Sequence, residues 1–165
     1  MAECLWRPSE DRIKNSNMYA FMQAVNEKFN KNFSSYDELY QWSVDRLEDF
    51  WATLWDFIGV KASRPYQTVI ENADQMPGAK FFPEARLNFA ENLLKYRDDK
   101  KAIVFRGEDK VRRELTYKEL YRETARVAAS LKKLGIRPGD RVVGFMPNMP
   151  ETIIAMLAAT SLGAT

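Results

Sequence analysis

Residues 115–165 decide the fold class, and they read LTYKELYRETARVAASLKKLGIRPGDRVVGFMPNMPETIIAMLAATSLGAT. Strand-like and helix-like patterns alternate along this stretch, with a glycine-containing turn between them. Such alternation predicts an α/β layered sheet with right-handed crossovers. We therefore expect the first β-α-β-α units of an incomplete α/β domain, whose sheet needs at least one more strand.

The first helix of this stretch is the best marked. Thr116 and Glu119 have the spacing of a capping box, and Gly135 is placed to end the helix. Because capping explains the Thr116–Glu119 pair fully, we do not interpret it as an active-site pair. The face predicted to be buried consists of Tyr117, Leu120, Tyr121, Thr124, Val127, Ala128, Leu131 and Leu134.

A strand and a second helix are predicted to follow. Arg141–Met146 is nearly all apolar, which is typical of a strand that is covered on both faces of a parallel sheet. Pro150 suits the first turn of a helix that runs to about Leu162. Asn148 is expected to cap that helix, although it also follows the carboxyl end of a strand, where α/β folds place ligands.

Upstream of this stretch the chain is predicted to form a hairpin. Ala102–Arg106 and Val111–Thr116 are strand-like, and the four residues between them suit an antiparallel turn. A short helix with Asn88 as its cap is predicted before the hairpin. Arg64–Lys80 contains two prolines and a glycine and is interpreted as an extended connector.

The first part of the chain differs in composition from the rest, because residues 1–75 contain all four tryptophans. Apolar spacing predicts three helices there, at about Ser16–Asn30, from Ser35 onward, and at about Val44–Ile58. The third should bury Leu47, Phe50, Trp51, Leu54 and Ile58. Its tryptophans either anchor one layer to another or line a ligand groove. We divide the chain into a helical extension, residues 1–75, and an α/β domain, residues 76–165.

Composition excludes several classes of function. Twenty-five Lys and Arg against 23 Asp and Glu leave a net charge of +2, too small to predict nucleic-acid or membrane-surface binding. With one cysteine and no histidine, we expect no metal site, and Cys4 is interpreted as a bystander. No apolar stretch approaches the roughly 20 residues that span a bilayer, and no secretory signal is visible. A cytoplasmic location is the expectation.

Five stretches carry a family resemblance. They are Leu5–Pro8 (LWRP), Tyr40–Asp45 (YQWSVD), Phe50–Phe57 (FWATLWDF), Leu87–Leu94 (LNFAENLL) and Gly139–Gly144 (GDRVVG) with Pro147-Asn148. In this order they resemble the adenylate-forming acyl-CoA synthetases, and the tryptophan-rich and LNFAENLL stretches resemble the acetyl-CoA synthetase group in particular. The resemblance implies that the chain is the N-terminal part of such an enzyme.

The resemblance also implies a reaction, in which a carboxylate attacks the α-phosphate of ATP and the thiol of coenzyme A then displaces AMP. ATP, Mg²⁺ and coenzyme A are the implied cofactors of the intact enzyme, with small molecules as its partners. Acetoacetate is the acid expected first, and acetate or propionate are alternatives. This chemistry needs a Gly/Ser/Thr-rich loop followed by a lysine, together with a metal-binding carboxylate. The sequence contains no such loop, so we assign no catalytic, cofactor-binding or metal-binding residue and expect the chain alone to be inactive.

Four cationic residues are weaker candidates for binding a phosphate. Arg137 and Arg141 flank a Pro-Gly-Asp turn and either face solvent or contact a phosphate of coenzyme A. Lys132 and Lys133 either offset a helix dipole or bind phosphate.

A stand-alone helical binding module without catalysis is the alternative from another functional class. An unpaired strand edge at 141–146 further predicts self-association of the chain.

Overall fold

The computed structural model describes residues 5–165, and Met1–Cys4, which include the single cysteine, lie outside the described residues. The chain forms two compact units. The first unit contains the chain up to Val60 together with Tyr66–Glu84, and the second contains Lys61–Pro65 together with Ala85–Thr165. The mixed helix and strand character that the sequence predicts is confirmed, and the strands form small antiparallel pairs.

The first unit is mainly helical, as predicted. Its helices are α1 (Glu10–Lys14), α2 (Asn17–Phe29), α3 (Tyr36–Asp45) and α4 (Leu47–Ile58). The hydroxyl of Ser16 accepts a hydrogen bond from the N–H of Tyr19 and caps α2. Ser35 and Glu38 form the predicted capping box of α3. Helix α1 was not predicted, because five residues are too few to show an apolar period.

The core of the first unit lies between α2 and α3. It consists of Phe21, Met22, Val25, Leu39 and Trp42, with Phe50 and Leu54 of α4 packed against it. Strands β1 (Ile70–Glu71) and β2 (Lys80–Phe81) then pair antiparallel within the predicted connector. Because the ring of Trp51 contacts Phe81 at 5.2 Å between centroids, the far side of α4 packs against this small hairpin.

The prediction that α4 buries its whole apolar face was wrong. Four of its five predicted residues are only partly buried, and Ile58 is 47% exposed. Thr53 is the residue of α4 that is fully buried. The apolar face of α4 is wide, so the core covers one side of it and the hairpin another. In the last turn the ring of Phe57 still contacts Phe21 of the core, at 5.2 Å between centroids, while Ile58 stays half exposed. Its tryptophans pack mainly on aromatic rings of the same unit.

The second unit contains the predicted hairpin and helices. Helix α5 (Phe89–Leu93) precedes strands β3 (Lys101–Gly107) and β4 (Val111–Thr116), and helices α6 (Tyr117–Lys133) and α7 (Pro150–Ser161) follow. Strands β3 and β4 pair antiparallel, with Phe105 opposite Arg113. The capping box of Thr116 and Glu119 is confirmed, since each side chain accepts a hydrogen bond from the main-chain N–H of the other.

The core of the second unit joins α5, α6 and α7. It consists of Ala90, Leu94, Leu120, Ile154 and Leu157, with residues of the hairpin packed against it. The predicted face of α6 is buried in its middle, at Leu120 and Thr124, while Leu134 is 80% exposed. Leu134 is the C-cap residue of α6, so it lies past the part of the helix that packs on α7.

The predicted strand Arg141–Met146 is absent, and this is the largest correction to the sequence analysis. The segment has no strand assignment, and the side chains of Val143 and Phe145 are 93% and 109% exposed. A strand exists only through hydrogen bonds to a neighbour, and no described residue pairs with Val143–Met146 through the main chain. An apolar run alone therefore did not make this segment buried.

Candidate functional site

The turn after α6 holds two of the predicted cations and is closed by its own residues. The carboxylate of Asp140 accepts a hydrogen bond of 2.7 Å from the N–H of Arg137. The N–H of Asp140 donates in return to the carbonyl of Arg137 at 3.1 Å. Gly139 has φ +88°, a conformation that favours glycine. The predicted turn is confirmed, and it sets the position at which the segment 141–146 begins.

Thr165 pairs with the residues that follow this turn, as one strand pairs with another. Its N–H donates to the carbonyl of Asp140, and its carbonyl accepts from the N–H of Val142, both at 2.8 Å. These two bonds on either side of Arg141 have the pattern of one rung of a parallel ladder. The parallel arrangement expected from the sequence is thus present at a single residue pair.

A groove runs beside this segment and above α7. Its volume is about 390 Å³, and its lining is mostly apolar. Polar atoms come from main-chain groups and from the hydroxyls of Thr152, Thr160 and Thr165. No Asp, Glu, Lys, Arg or Tyr lines it, so this groove can bind an apolar or strand-like group but holds no side chain for proton transfer. The lining residues are Val142, Val143, Gly144, Met146, Thr152, Ala155, Met156, Ala159, Thr160 and Thr165.

None of the four predicted cationic candidates lines this groove. Arg137 and Arg141 are exposed and form no ion pair with a described residue. Lys132 and Lys133 lie in the last turn of α6, where cations offset the helix dipole. The contact between these residues and a phosphate of coenzyme A stays a hypothesis.

The expectation that Asn148 caps α7 was wrong. Met149 is the N-cap residue, and no side chain caps this helix. Because Pro150 occupies the first helical turn, the cap position falls one residue later than predicted. The hydroxyl of Thr152 instead donates to the carbonyl of Pro147 at 2.6 Å and holds the turn before the helix.

A second cavity, of about 270 Å³, was not predicted. The guanidinium of Arg97 lies 3.8 Å above the ring of Tyr121, and Lys61 lines the same cavity. Glu91 and Ser161 also line it. These residues come from four separate parts of the sequence, so no local motif could have brought them together.

A third cavity, of about 280 Å³, is a patch of matched charges. The guanidinium of Arg113 on β4 donates to the carboxylate of Glu151 on α7. This hydrogen bond is the main reason that the pKa of Glu151 lies below its usual value, and a hydrogen bond from the main-chain N–H of Glu151 is the second. Glu119 and Glu123 line the same cavity with Arg122, so the patch is close to neutral and offers no strong anion or cation site.

The first unit has a groove of its own, of about 510 Å³, between α2, α3 and α4. Its lining is apolar and aromatic, including Phe21, Leu39, Tyr40 and Phe57. No Asp, Glu, Lys or Arg lines it. This groove can accept an apolar group, but nothing in it specifies a reaction.

Neither a metal-holding group of side chains nor a helix that could cross a membrane is found in the described part of the chain. Residues 5–165 contain no group of three or more His, Cys, Asp or Glu side chains arranged to hold a metal ion. None of the helices in the same range combines the length and the apolar character needed to cross a bilayer.

Comparison with known proteins finds similarity to two families, over residues 36–93 and residues 89–165. Residues 36–93 match the family described as acetyl-coenzyme A synthetase N-terminus, and residues 89–165 match the AMP-binding enzymes. An acetoacetyl-coenzyme A synthetase from Rhizobium meliloti is 43% identical over 160 residues, which are 97% of this chain and 24% of that protein. A malonamoyl-CoA synthetase, vrtB, from Penicillium aethiopicum is 37% identical over 169 residues, or 98% of this chain and 23% of that protein.

A solved structure agrees with the sequence comparison. The acetoacetyl-CoA synthetase from Streptomyces lividans superposes with a TM-score of 0.85 at 36% identity, covering 99% of this chain and 26% of that chain. The chain therefore spans about a quarter of the length of the relatives that it matches.

Proposed function

We propose that the chain belongs to the AMP-binding enzymes, in the group with an acetyl-coenzyme A synthetase N-terminus, and that it is the N-terminal part of an ATP-dependent acetoacetate–CoA ligase. The observation that carries this proposal is its similarity to acetoacetyl-CoA synthetases over nearly its whole length, in sequence and in structure. No single side chain of residues 5–165 carries it.

The proposed reaction of the longer protein has two steps. A carboxylate oxygen of acetoacetate bonds to the α-phosphorus of ATP, and diphosphate leaves. The sulfur of coenzyme A then attacks the carbonyl carbon of the acyl-adenylate, its thiol proton is lost, and AMP leaves. ATP, Mg²⁺ and coenzyme A are the cofactors of this proposal, and the cytoplasm is its compartment.

The described residues do not fit the triphosphate or the metal of that reaction. The seven glycines are scattered, and no Gly/Ser/Thr-rich loop precedes a lysine. No carboxylate cluster of residues 5–165 can hold Mg²⁺. The groups that bind the triphosphate and the metal therefore lie outside the described residues in this proposal. We propose that residues 1–75 form the helical extension and residues 76–165 the start of the adenylation domain.

The acid substrate is the finer part of the proposal. The similarity to a malonamoyl-CoA synthetase favours a second candidate, a ligase for another short acid. The groove beside residues 142–146 offers no charged side chain that could select a carboxylate. Acetate and propionate are the further acids to compare.

The test compares two proteins with the same four reactants. The gene product read through beyond codon 165 is incubated with ATP, Mg²⁺, coenzyme A and either acetoacetate, malonamate, acetate or propionate, and AMP and acyl-CoA are both measured. We expect equal amounts of AMP and acyl-CoA, with the highest kcat/KM for acetoacetate. Release of no AMP with any acid would refute the ligase, whereas a higher kcat/KM for another acid would refute only the choice of acetoacetate.

The 165-residue chain serves as the matched control in the same assay. Because it contains no phosphate loop and no catalytic lysine, we expect no AMP above the buffer blank. Turnover by the chain alone would show that the reacting groups lie within these residues.

A further inference from the structure

The cavity of about 270 Å³ in the second unit contains two cationic side chains that no carboxylate of residues 5–165 neutralises. Lys61 and Arg97 both line it, and neither forms an ion pair with a described residue. Glu91 lines the same cavity, but its carboxylate is not within ion-pair distance of either cation. Asp98 and Asp99, which follow Arg97 in the sequence, pair with other lysines. The two positive charges of the cavity are therefore available to a ligand.

Hydrogen bonds fix the main chain of Lys61 beside α5. The side-chain amide of Asn92 accepts from the N–H of Lys61 at 2.8 Å and donates to its carbonyl at 2.9 Å. The same amide donates to the carbonyl of Asn88 at 3.0 Å. The side chain of Asn88 donates in turn to the carbonyl of Thr160, the neighbour of Ser161 in the cavity. One network thus joins three segments that form the cavity, so the side chain of Lys61 starts from a fixed point.

An aromatic ring holds Arg97. Its guanidinium lies 3.8 Å above the ring of Tyr121, which is half-buried and packs against the core of the second unit. Arginine stacks flat on aromatic rings, and such a contact leaves the N–H groups in the plane of the guanidinium. No described residue accepts a hydrogen bond from the side chain of Arg97, so these donors can bind an oxyanion.

The third cavity, of about 280 Å³, provides the contrast within the same unit. Each of its arginines has a carboxylate partner, either Glu151 or Glu123. In the cavity of about 270 Å³, Lys61 and Arg97 against the single acid Glu91 leave a charge of +1. This cavity therefore attracts an anion, whereas the third cavity does not.

We propose that the cavity lined by Lys61 and Arg97 binds the phosphate group of a small hydroxylated molecule. A phosphate monoester has about −1.5 to −2 charge at pH 7 and three acceptor oxygens, so one group can contact both cations. The planar fork of Arg97 suits two of those oxygens, and Lys61 acts as a point charge. Glu91 and Ser161 can accept hydrogen bonds from hydroxyl groups of the ligand, since the proton of Ser161 is donated to a main-chain carbonyl.

The size of the cavity limits the rest of the ligand. Small-molecule sites usually have volumes of about 300–1,000 Å³, and this cavity is slightly smaller. We therefore expect a phosphate with only a short organic part. This binding requires no step of the ligase reaction, so it stands whether or not that proposal holds.

The test is a nuclear magnetic resonance titration of the 165-residue chain, in which the main-chain amide signals are followed. Inorganic phosphate and glycerol 3-phosphate are the probes, and sodium chloride and sodium acetate at the same ionic strength are the references. We expect saturable shifts at Lys61, Arg97 and Ser161 with both phosphates, tighter binding of glycerol 3-phosphate, and weaker or no binding of acetate.

Four variants locate the binding. Arg97→Gln and Lys61→Gln should each raise the dissociation constant for phosphate about tenfold. Arg106→Gln is the matched control, because Arg106 is an exposed arginine of β3 that does not line the cavity, and its replacement removes the same charge. Its dissociation constant should stay unchanged. Glu91→Gln removes a repulsive charge and should lower the dissociation constant for inorganic phosphate, a change that damage to the fold cannot produce.

Four outcomes would overturn the proposal. The absence of a saturable shift with either phosphate would show that the cavity is not a phosphate site. Equal weakening by Arg97→Gln and Arg106→Gln would assign the binding to general charge. Acetate that binds as tightly as phosphate would make this a carboxylate site. Calorimetry on the gene product read through beyond codon 165 supplies the last arm: binding by the 165-residue chain but not by the longer protein would show that another residue fills the cavity.

Discussion

The side-chain amide of Asn88 donates a hydrogen bond of 2.8 Å to the carbonyl of Thr160, 72 residues further along the chain. The same side chain accepts a hydrogen bond of 3.1 Å from the N–H of Glu91 and caps α5. One asparagine therefore begins a short helix and ties it to the last turns of α7. The cap was predicted from the sequence, and the tie was not.

Replacing Asn88 should separate these two roles. Asn88→Ala loses both hydrogen bonds, and we expect the second unit to lose about 1–3 kcal/mol of stability. Asn88→Asp keeps the acceptor for the N–H of Glu91 but cannot donate to the carbonyl of Thr160. Its loss of stability should therefore be no larger than that of Asn88→Ala. Urea unfolding followed by far-ultraviolet circular dichroism measures both. Asn148→Ala is the control, since Asn148 is exposed and caps nothing, and an equal loss there would contradict the assignment.

Trp42 should be the most costly tryptophan to remove. It is 7% exposed, and its ring lies 5.2 Å from that of Phe29 in the core of the first unit. We expect Trp42→Ala to cost about 3–5 kcal/mol, because a large cavity would remain. Tyr40→Ala, on the same helix but 55% exposed, should cost less than about 1 kcal/mol. Unfolding measured by fluorescence of the remaining tryptophans tests this, and similar losses for the two variants would place Trp42 outside the core.

Two glycines that follow helices offer a matched comparison. Gly135 and Gly163 end α6 and α7 with the same pair of main-chain hydrogen bonds, at φ +90° and +75°. An added Cβ meets nothing within 4 Å at Gly135 but lies 3.2 Å from the Cβ of Pro138 at Gly163.

We therefore expect Gly135→Ala to cost about 1 kcal/mol from backbone conformation alone, and Gly163→Ala to cost about 1 kcal/mol more. Circular dichroism in urea measures both variants. An equal loss would mean that Pro138 moves aside without cost.

The Arg113–Glu151 pair should give the second unit a pH-dependent part of its stability. The pKa of Glu151 is lowered in the folded chain, so this contribution is present above the ordinary glutamate pKa and is lost as pH falls through the folded pKa. The unaltered chain should therefore exceed Glu151→Gln in stability near neutral pH, and the difference should shrink as the pH falls below about 4. The side chains are 42% and 39% exposed, so the difference should be small and should decrease with added salt.

The variant Arg113→Gln is the control for that prediction. It removes the largest cause of the lowered pKa of Glu151, so it should remove the same pH-dependent part of the stability as Glu151→Gln. The double variant should lose no further pH-dependent stability. Urea midpoints across a pH series measure all four proteins. A difference for Glu151→Gln that stays constant with pH would show that the pair contributes nothing through ionisation.

Helix ends could be predicted from sequence, because their hydrogen bonds close within one helical turn. The Ser35–Glu38 and Thr116–Glu119 boxes were predicted because their donors and acceptors lie three residues apart. The cap formed by Ser16 was not predicted as a cap, although its bond to Tyr19 has the same spacing. The hairpin was predictable for a similar reason, since a short loop sets its register. The family could be inferred from the order of the short stretches, and the comparisons confirmed it.

The candidate site was much less predictable. Arg97 over Tyr121 and Arg113 beside Glu151 join residues 24 and 38 positions apart, and no periodicity or spacing relates them. Asn148 was predicted to cap α7, but Pro150 moved that position to Met149. The absence of a phosphate loop, in contrast, is a property of residue order alone and needed no structure.

The sequence by itself determined most of the helices of this protein and its β3–β4 hairpin, because those elements depend on residues within a few positions of one another. The tertiary structure decided which apolar residues are buried. Leu120 is covered by neighbouring helices, while Leu134, the C-cap residue of the same helix, is 80% exposed. Val143 is 93% exposed within a run as apolar as a core strand. Burial needs a second surface from a distant part of the chain, and a strand needs a neighbour to accept its hydrogen bonds.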